Sequence, residues 1–314
     1  MTKIASKQNR KTIWTSIIFS IIFFGAMGTF MIYIFLKKWS SNEVETKTYL
    51  MPIFGLFVYF IAFNFIKNYV KRSPKIVVDN EKIIINKRTY YWTDIQNIKL
   101  TGKKGFGFFN YQMEVATLNF NNKKTEFIFD DMYSNSWEIK SFIQQIVIDK
   151  KLTFEINTQK INPREIEKEN FYEFKGNPIF SFRGLMMWGL IGFFVYLLIF
   201  TEGKISKFDQ MKFLIPICIF WFLLNAYSMN YFEVSKNFFI VKNHYFFWKK
   251  IIYRITDIEE IVYETQQNQS NILRVITKDF KRGMYPAGTL KDSKWIEMKE
   301  ELEKRKVKVR NECI

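Results

Sequence analysis

The sequence predicts an α+β membrane protein, a tandem repeat in which a two-helix transmembrane hairpin is followed by a small antiparallel β-barrel or sandwich capped by a C-terminal amphipathic helix. Three observations carry that prediction. Four strongly apolar runs arrive in two pairs, and each pair is followed by short β-prone runs and a closing helix. The string Thr93-Asp94-Ile95-Gln96-Asn97-Ile98 then returns 163 residues later as Thr256-Asp257-Ile258-Glu259-Glu260-Ile261. One six-residue match arises by chance, but its recurrence inside a matching order of helices, proline, strands and terminal helix marks an internal repeat.

A length of 314 residues suits about two domains. The mean hydropathy of -0.11 blends the apolar runs with lysine-rich segments between them. The net charge of +17 suits an anionic membrane surface, acidic partners or nucleic acid, and for a membrane protein the first is the default. Lys, Ile, Asn and Phe are abundant throughout, so a general compositional bias accounts for the lysine excess equally well. Cys218 and Cys313 are the two cysteines and His244 the one histidine, so neither a disulfide framework nor a cysteine-histidine metal site is expected.

Residues 13–36 form an apolar run without a charged residue, longer than the roughly 20 helical residues a bilayer core of about 30 Å requires. Lys3, Lys7, Arg10 and Lys11 precede it in the charge order of a signal peptide, but its 24 residues and the lack of an A-x-A-like exit predict a retained helix. Residues 49–66 give the second span, and Trp14, Trp39, Tyr49 and Tyr69 flank the pair where aromatic belts belong. Gly25, Gly28 and Thr29 offer a small-residue face for close helix packing.

The first module, residues 71–150, follows as short β-prone runs at 76–78, 83–85, 89–92, 95–100, 111–120 and 125–129. Asn135, with Glu138 three residues on, is expected to open a helix as a capping box, and Ile139, Phe142, Ile143 and Ile146 supply its apolar face. Trp137 in its first turn is expected to dock it. Residues 151–182 are expected to be a charged linker with one short helix. The second unit repeats the pattern, with spans at 185–200 and 213–229 and a module at 231–310 whose final helix carries Trp295, Met298 and Leu302 on one face. Pro216 lies 164 positions after Pro52 and Trp295 lies 158 after Trp137, nearly the spacing of Thr93, Asp94 and Ile95 to Thr256, Asp257 and Ile258.

Residues Val78 to Ile85, the run Tyr90-Tyr91-Trp92-Thr93-Asp94-Ile95-x-x-Ile98 and the helix at Trp137 resemble the bacterial pleckstrin-homology-like domains that occur fused to transmembrane helix pairs. Val234 to Val241, Tyr253-Arg254-Ile255-Thr256-Asp257-Ile258-x-x-Ile261 and Trp295 are the counterparts in the second unit. The resemblance implies a seven-strand barrel closed by a C-terminal helix, of which about six strands per unit are evident in the residues. Phosphoinositide-binding members cluster basic residues in the first strand-strand turn. The turns here, Asp79-Asn80-Glu81-Lys82 and Ser235-Lys236-Asn237, lack that cluster, so the resemblance does not carry phosphoinositide recognition.

The loop Thr101-Gly102-Lys103-Lys104-Gly105-Phe106-Gly107-Phe108-Phe109 is the most chemically suggestive stretch. Lys103 and Lys104 suit phosphate while Phe106, Phe108 and Phe109 suit an apolar interface, although the phenylalanines serve equally to fold the loop onto the barrel. It lacks the ending of a nucleotide-binding loop. Lys67, Lys71, Arg72 and Lys75 beyond the second span, and Lys304, Arg305, Lys306, Lys308 and Arg310 after the last helix, are candidates for an anionic leaflet or simply for topology and solubility. Thr93-Asp94 and Thr256-Asp257 read as backbone-bonding turns ahead of strands. Asn268-Gln269-Ser270 spells a glycosylation acceptor, silent in a cytoplasmic module.

No catalytic constellation accompanies His244, and no span core holds an ionisable group of the kind ion-coupled carriers place there. The expectation is a non-enzymatic protein of the bacterial inner membrane without a cofactor. Both termini and both modules are expected in the cytoplasm, forming a scaffold or adapter platform. Expected partners are the bilayer, an anionic lipid surface, a second copy or another protein, and not nucleic acid. The alternative is an accessory or regulatory subunit of a membrane enzyme or exporter.

Overall fold

A computed structural model describes residues 2–106, 111–121, 123–156, 161–200, 207–265 and 270–313. The chain divides into two compact units, Met1–Ile156 and Asn157–Ile314.

The first unit opens on a two-residue strand, β1 (Ile4–Ala5), and then enters the helix pair α1 (Arg10–Ser40) and α2 (Leu50–Lys71). At 1.5 Å per residue α1 is about 46 Å long, more than a bilayer core needs. Gly28 and Gly55 let the helices approach, because a Cβ on Gly28 would stand 3.1 Å from the Gly55 carbonyl oxygen. Thr29 and Tyr59 share a hydrogen bond of 2.7 Å beside that contact, whereas Gly25 faces open space.

Behind the hairpin come β2 (Ile76–Val78), β3 (Lys82–Ile85) and β4 (Arg88–Tyr91), which with β1 form an antiparallel sheet in the order β1-β2-β3-β4. Ile4 pairs with Val78, so the strand before the helix pair and the strand after it are neighbours. A second sheet contains β5 (Ile95–Lys99), β6 (Lys103–Phe106), β7 (Tyr111–Phe120) and β8 (Thr125–Phe129), with β5 and β6 along one edge of β7 and β8 on the other. Tyr90 of the first sheet stacks on Phe120 of the second at 4.4 Å, and α3 (Ser136–Phe142) with the π-turn after it buries Ile139, Phe142, Ile143 and Ile146.

The second unit begins with α4 (Pro163–Ile166) and β9 (Tyr172–Phe174), then the apolar helices α5 (Phe182–Phe200) and α6 (Lys207–Tyr227). Its first sheet adds β10 (Asn230–Val234), β11 (Phe238–Asn243) and β12 (Lys250–Arg254) in the order β12-β11-β10-β9. Its second sheet holds β13 (Ile258–Glu264), β14 (Ile272–Thr277), β15 (Arg282–Pro286) and β16 (Lys308–Asn311), the last parallel to β13 and reached through α7 (Asp292–Lys304). Phe232, Phe239, Ile261, Tyr263, Leu273 and Val275 from both sheets enclose Trp295, Met298 and Leu302 of α7 in one core.

Several expectations need correcting. Among the described residues the strands of each unit form separate four-stranded sheets and no closed barrel. Three helical segments, Arg10–Ser40, Thr46–Lys71 and Phe182–Phe200, are long and apolar enough to cross a membrane, while Leu214–Tyr227 within α6 is a shorter apolar stretch. Residues 151–182 hold the expected short helix, α4, whose Ile166 packs on Phe238 and Ile240, and in addition a strand, β9, which pairs with β10.

Asn135 does not cap its helix. Its carboxamide accepts from the Lys7 amide at 2.7 Å and donates to the Ala5 carbonyl and to Glu138, so the expected cap is spent holding β1 in place. Trp137 is half-buried while Trp295 is fully buried, because Trp295, Met298 and Leu302 occupy the helical spacing that Ile139, Phe142 and Ile146 occupy in α3.

Candidate functional site

The foot of the first helix pair gathers most of the charge-bearing candidates. Arg72, just past α2, donates to the Gly105 carbonyl at 2.5 Å and lies over the rings of Phe106 and Phe129 at 5.3 and 5.5 Å. Phe106 is buried and meets Tyr69 edge-on at 5.0 Å. These two residues thus clamp the end of α2 onto the second sheet, a structural use of a cation over aromatic faces. Lys104 turns back over Phe127 at 5.5 Å, and Lys103 stands half-buried opposite Glu114. Phe108 and Phe109 lie outside the described residues. Lys67 rests near the Phe63 ring, 5.9 Å from its centre, and Lys71 is exposed.

Lys75 is different, because strand pairing brings it to residues from the other end of the hairpin. Ser6, Lys7, Gln8, Arg10 and Lys75 line a groove of about 460 Å³ between β1, the first turn of α1 and the start of β2. The walls are fixed by the backbone: Ser6 Oγ accepts from the Ile76 amide at 2.8 Å, Gln8 donates to the Ser73 carbonyl at 2.8 Å, and Tyr133 donates to the Pro74 carbonyl at 2.6 Å. Among the described residues, three exposed cationic side chains and no acidic one line this groove. The arrangement attracts an anion and offers hydroxyl and amide groups beside it. Lys7 and Arg10 lie far from Lys75 in the sequence, and β1, at two residues, is too short to leave a periodic signal that would join them.

The Thr-Asp turns form corners between sheets. Each is a single 3-10 turn, Trp92–Asp94 and Ile255–Asp257, and the aspartate carbonyl accepts a backbone amide at 2.8 Å, from Asn121 in the first unit and Lys278 in the second. The threonine hydroxyls face the aspartate carboxylates at 3.5 and 3.3 Å. Ile95 and Ile258 open the strands that follow.

In the second unit the basic C-terminal residues are drawn into the fold. Lys308 and Arg310 on β16 reach buried Glu260 at 3.0 and 3.1 Å, and Arg305 donates to the Ser235 carbonyl and to Glu301. His244 sits half-buried after β11, 3.3 Å from the Thr289 hydroxyl and against Tyr231. Burial, with the nearby Lys175 charge, pushes its pKa down to about 4, so it is neutral at physiological pH. Burial also raises the phenols of Tyr253 and Tyr285, which hydrogen-bond one another. Among the described residues no three His, Cys, Asp or Glu side chains come together as metal donors. No protein-family model and no curated protein matches this chain.

Proposed function

We propose that the chain is a non-enzymatic protein of the bacterial cytoplasmic membrane whose two modules form a cytoplasmic platform at the anionic membrane surface, where a protein partner docks. The observation that carries the reading is the pairing of β1 with β2 across the helix pair, which sets Lys7, Arg10 and Lys75 around one groove at the foot of two membrane-length helices. Near an anionic leaflet each such cation contributes about 1 kcal/mol.

Tandem duplication of one pleckstrin-homology-like unit is part of the same reading. It is supported by a strand before each helix pair joining the sheet behind it, and by the Thr-Asp corner with its backbone bond in both units.

The test is lipid retention and topology. The wild-type chain, extracted in mild detergent, is expected to carry anionic phospholipid in native mass spectra. Lys7→Glu/Arg10→Glu/Lys75→Glu is expected to lose it by roughly tenfold or more while zwitterionic lipid is unchanged. Equal retention would sink the surface reading. In a Cys218→Ser/Cys313→Ser background, cysteines at Thr89 and Lys294 should react with an impermeant thiol reagent only from the cytoplasmic face, and reaction from opposite faces would overturn the shared orientation.

A further inference from the structure

The hairpin tips of the two units differ in a way the repeat does not require. Between β3 and β4 the chain turns through Asn86 and Lys87, both at positive φ, the tight two-residue turn that suits a hairpin. Between β11 and β12 residues 244–249 intervene, and the added length carries Tyr245, Phe246, Phe247 and Trp248. Phe247 is 85% exposed and Trp248 70% exposed, the most exposed pair of adjacent aromatics outside the helices among the described residues.

This tip is held against the apolar helices α5 and α6. Asn243, 3% exposed, donates to the Ala226 carbonyl in the last turn of α6 at 2.9 Å, and its side-chain oxygen accepts the amides of Tyr245 and Phe246 at 3.0 and 2.9 Å. The Tyr245 hydroxyl accepts from the Trp188 indole of α5 at 3.0 Å, and its ring meets Phe222 of α6 at 5.2 Å. Trp188 lies about 9 Å along α5 from Phe182, and Phe222 about 7 Å before the end of α6. The loop therefore stands beside both helices roughly one and a half turns inside their module-facing ends, at the depth where interfacial aromatics reside. Lys249 bends back over the Tyr227 ring at 4.9 Å and donates to Asn230 at 2.9 Å, which keeps its charge on the module side of the aromatics.

We infer that the 244–249 hairpin is a membrane-inserting wedge, in which Phe247 and Trp248 enter the headgroup and upper acyl region of the bilayer that α5 and α6 cross. The wedge fixes the tilt of the second module against the lipid surface and supplements the contact made by α5. The occupant is lipid because the surface is continuous with the lipid-facing helices through Tyr245, Trp188 and Phe222. The inference rests on the membrane reading above.

The full chain, in the same cysteine-free background and reconstituted in phosphatidylcholine and phosphatidylglycerol vesicles, is labelled with an environment-sensitive fluorophore at one of four positions: Trp248→Cys, Phe247→Cys, Phe193→Cys in α5, or Lys294→Cys on α7. Labels at 248 and 247 are expected to emit at blue-shifted wavelengths and to be quenched by shallow nitroxide lipids at least threefold more than the label at 294. The label at 193 is expected to respond best to deep nitroxides. Quenching at 193 with 247 and 248 matching 294 overturns the wedge and leaves the membrane reading intact. A blue shift at 247 and 248 without nitroxide quenching assigns the tip to a protein contact and also overturns it. No quenching at 193 removes the membrane reading and the wedge with it.

Discussion

Trp295→Ala is expected to destabilise the second module by about 3–5 kcal/mol, the cost of removing a large aromatic from a packed interior and leaving a void behind. Trp295 is fully buried, with Tyr263 edge-on at 4.7 Å and Phe232 at 5.8 Å, and with Met298 and Leu302 it is the face by which α7 closes both sheets. The indole N–H has no hydrogen-bond partner among the described residues, so Trp295→Phe should cost far less than alanine. Trp137→Ala in the first module should cost only about 1 kcal/mol, because that side chain is half-buried and the closing face there is Ile139, Phe142, Ile143 and Ile146. Protease susceptibility of each module against temperature, measured on the full chain in detergent, reports the two losses separately. Equal losses for the two tryptophans would contradict the helix register described above.

Lys140→Met is expected to cost the first module about 3 kcal/mol or more. Lys140 is 2% exposed and its ammonium stands 2.6 Å from the Asp130 carboxylate, itself 6% exposed, so the pair ties α3 to the turn that ends β8 away from water. Removing the cation takes the counter-charge from a carboxylate that stays buried, which is the expensive half of dismantling a buried ion pair. Lys140→Met/Asp130→Leu should recover most of the loss, since apolar replacement of both members is far less costly than breaking one. The same thermal proteolysis resolves the cycle, and a double variant no better than the single would show that the pair does more than compensate its own charges.

Much of this architecture was legible because composition writes it directly. Helices such as α1 and α2 announce themselves by apolar length, and α7 by the spacing of Trp295, Met298 and Leu302. Elements held by distant partners were not legible. Two or three residues, as in Ile4–Ala5 and Tyr172–Phe174, are too few to show alternation, and each is paired with a strand beyond a helix hairpin. Charge misled as well. Lys308 and Arg310 look like a solvated tail until Glu260, buried at 1% exposure, is seen to be their counter-ion. Lys75 looked like one of a row of juxtamembrane cations, and only the β1 pairing distinguishes it from Lys67 and Lys71. Arg72 and Phe106 come from two separate candidate groups, the juxtamembrane cations and the glycine-rich loop, and meet only because the end of α2 seats on the sheet.

The pairing of Ile4 with Val78 also dictates an order of events during synthesis. Ile4–Ala5 is synthesised before its mate Ile76–Val78, so its hydrogen-bonding edge stays open until both intervening helices have been made. Closing that sheet therefore waits on completion of the helix pair, and the same delay recurs when Tyr172–Phe174 awaits Asn230–Val234. In each unit a closed sheet is thus a built-in report that the helix pair between its strands has been completed and turned back.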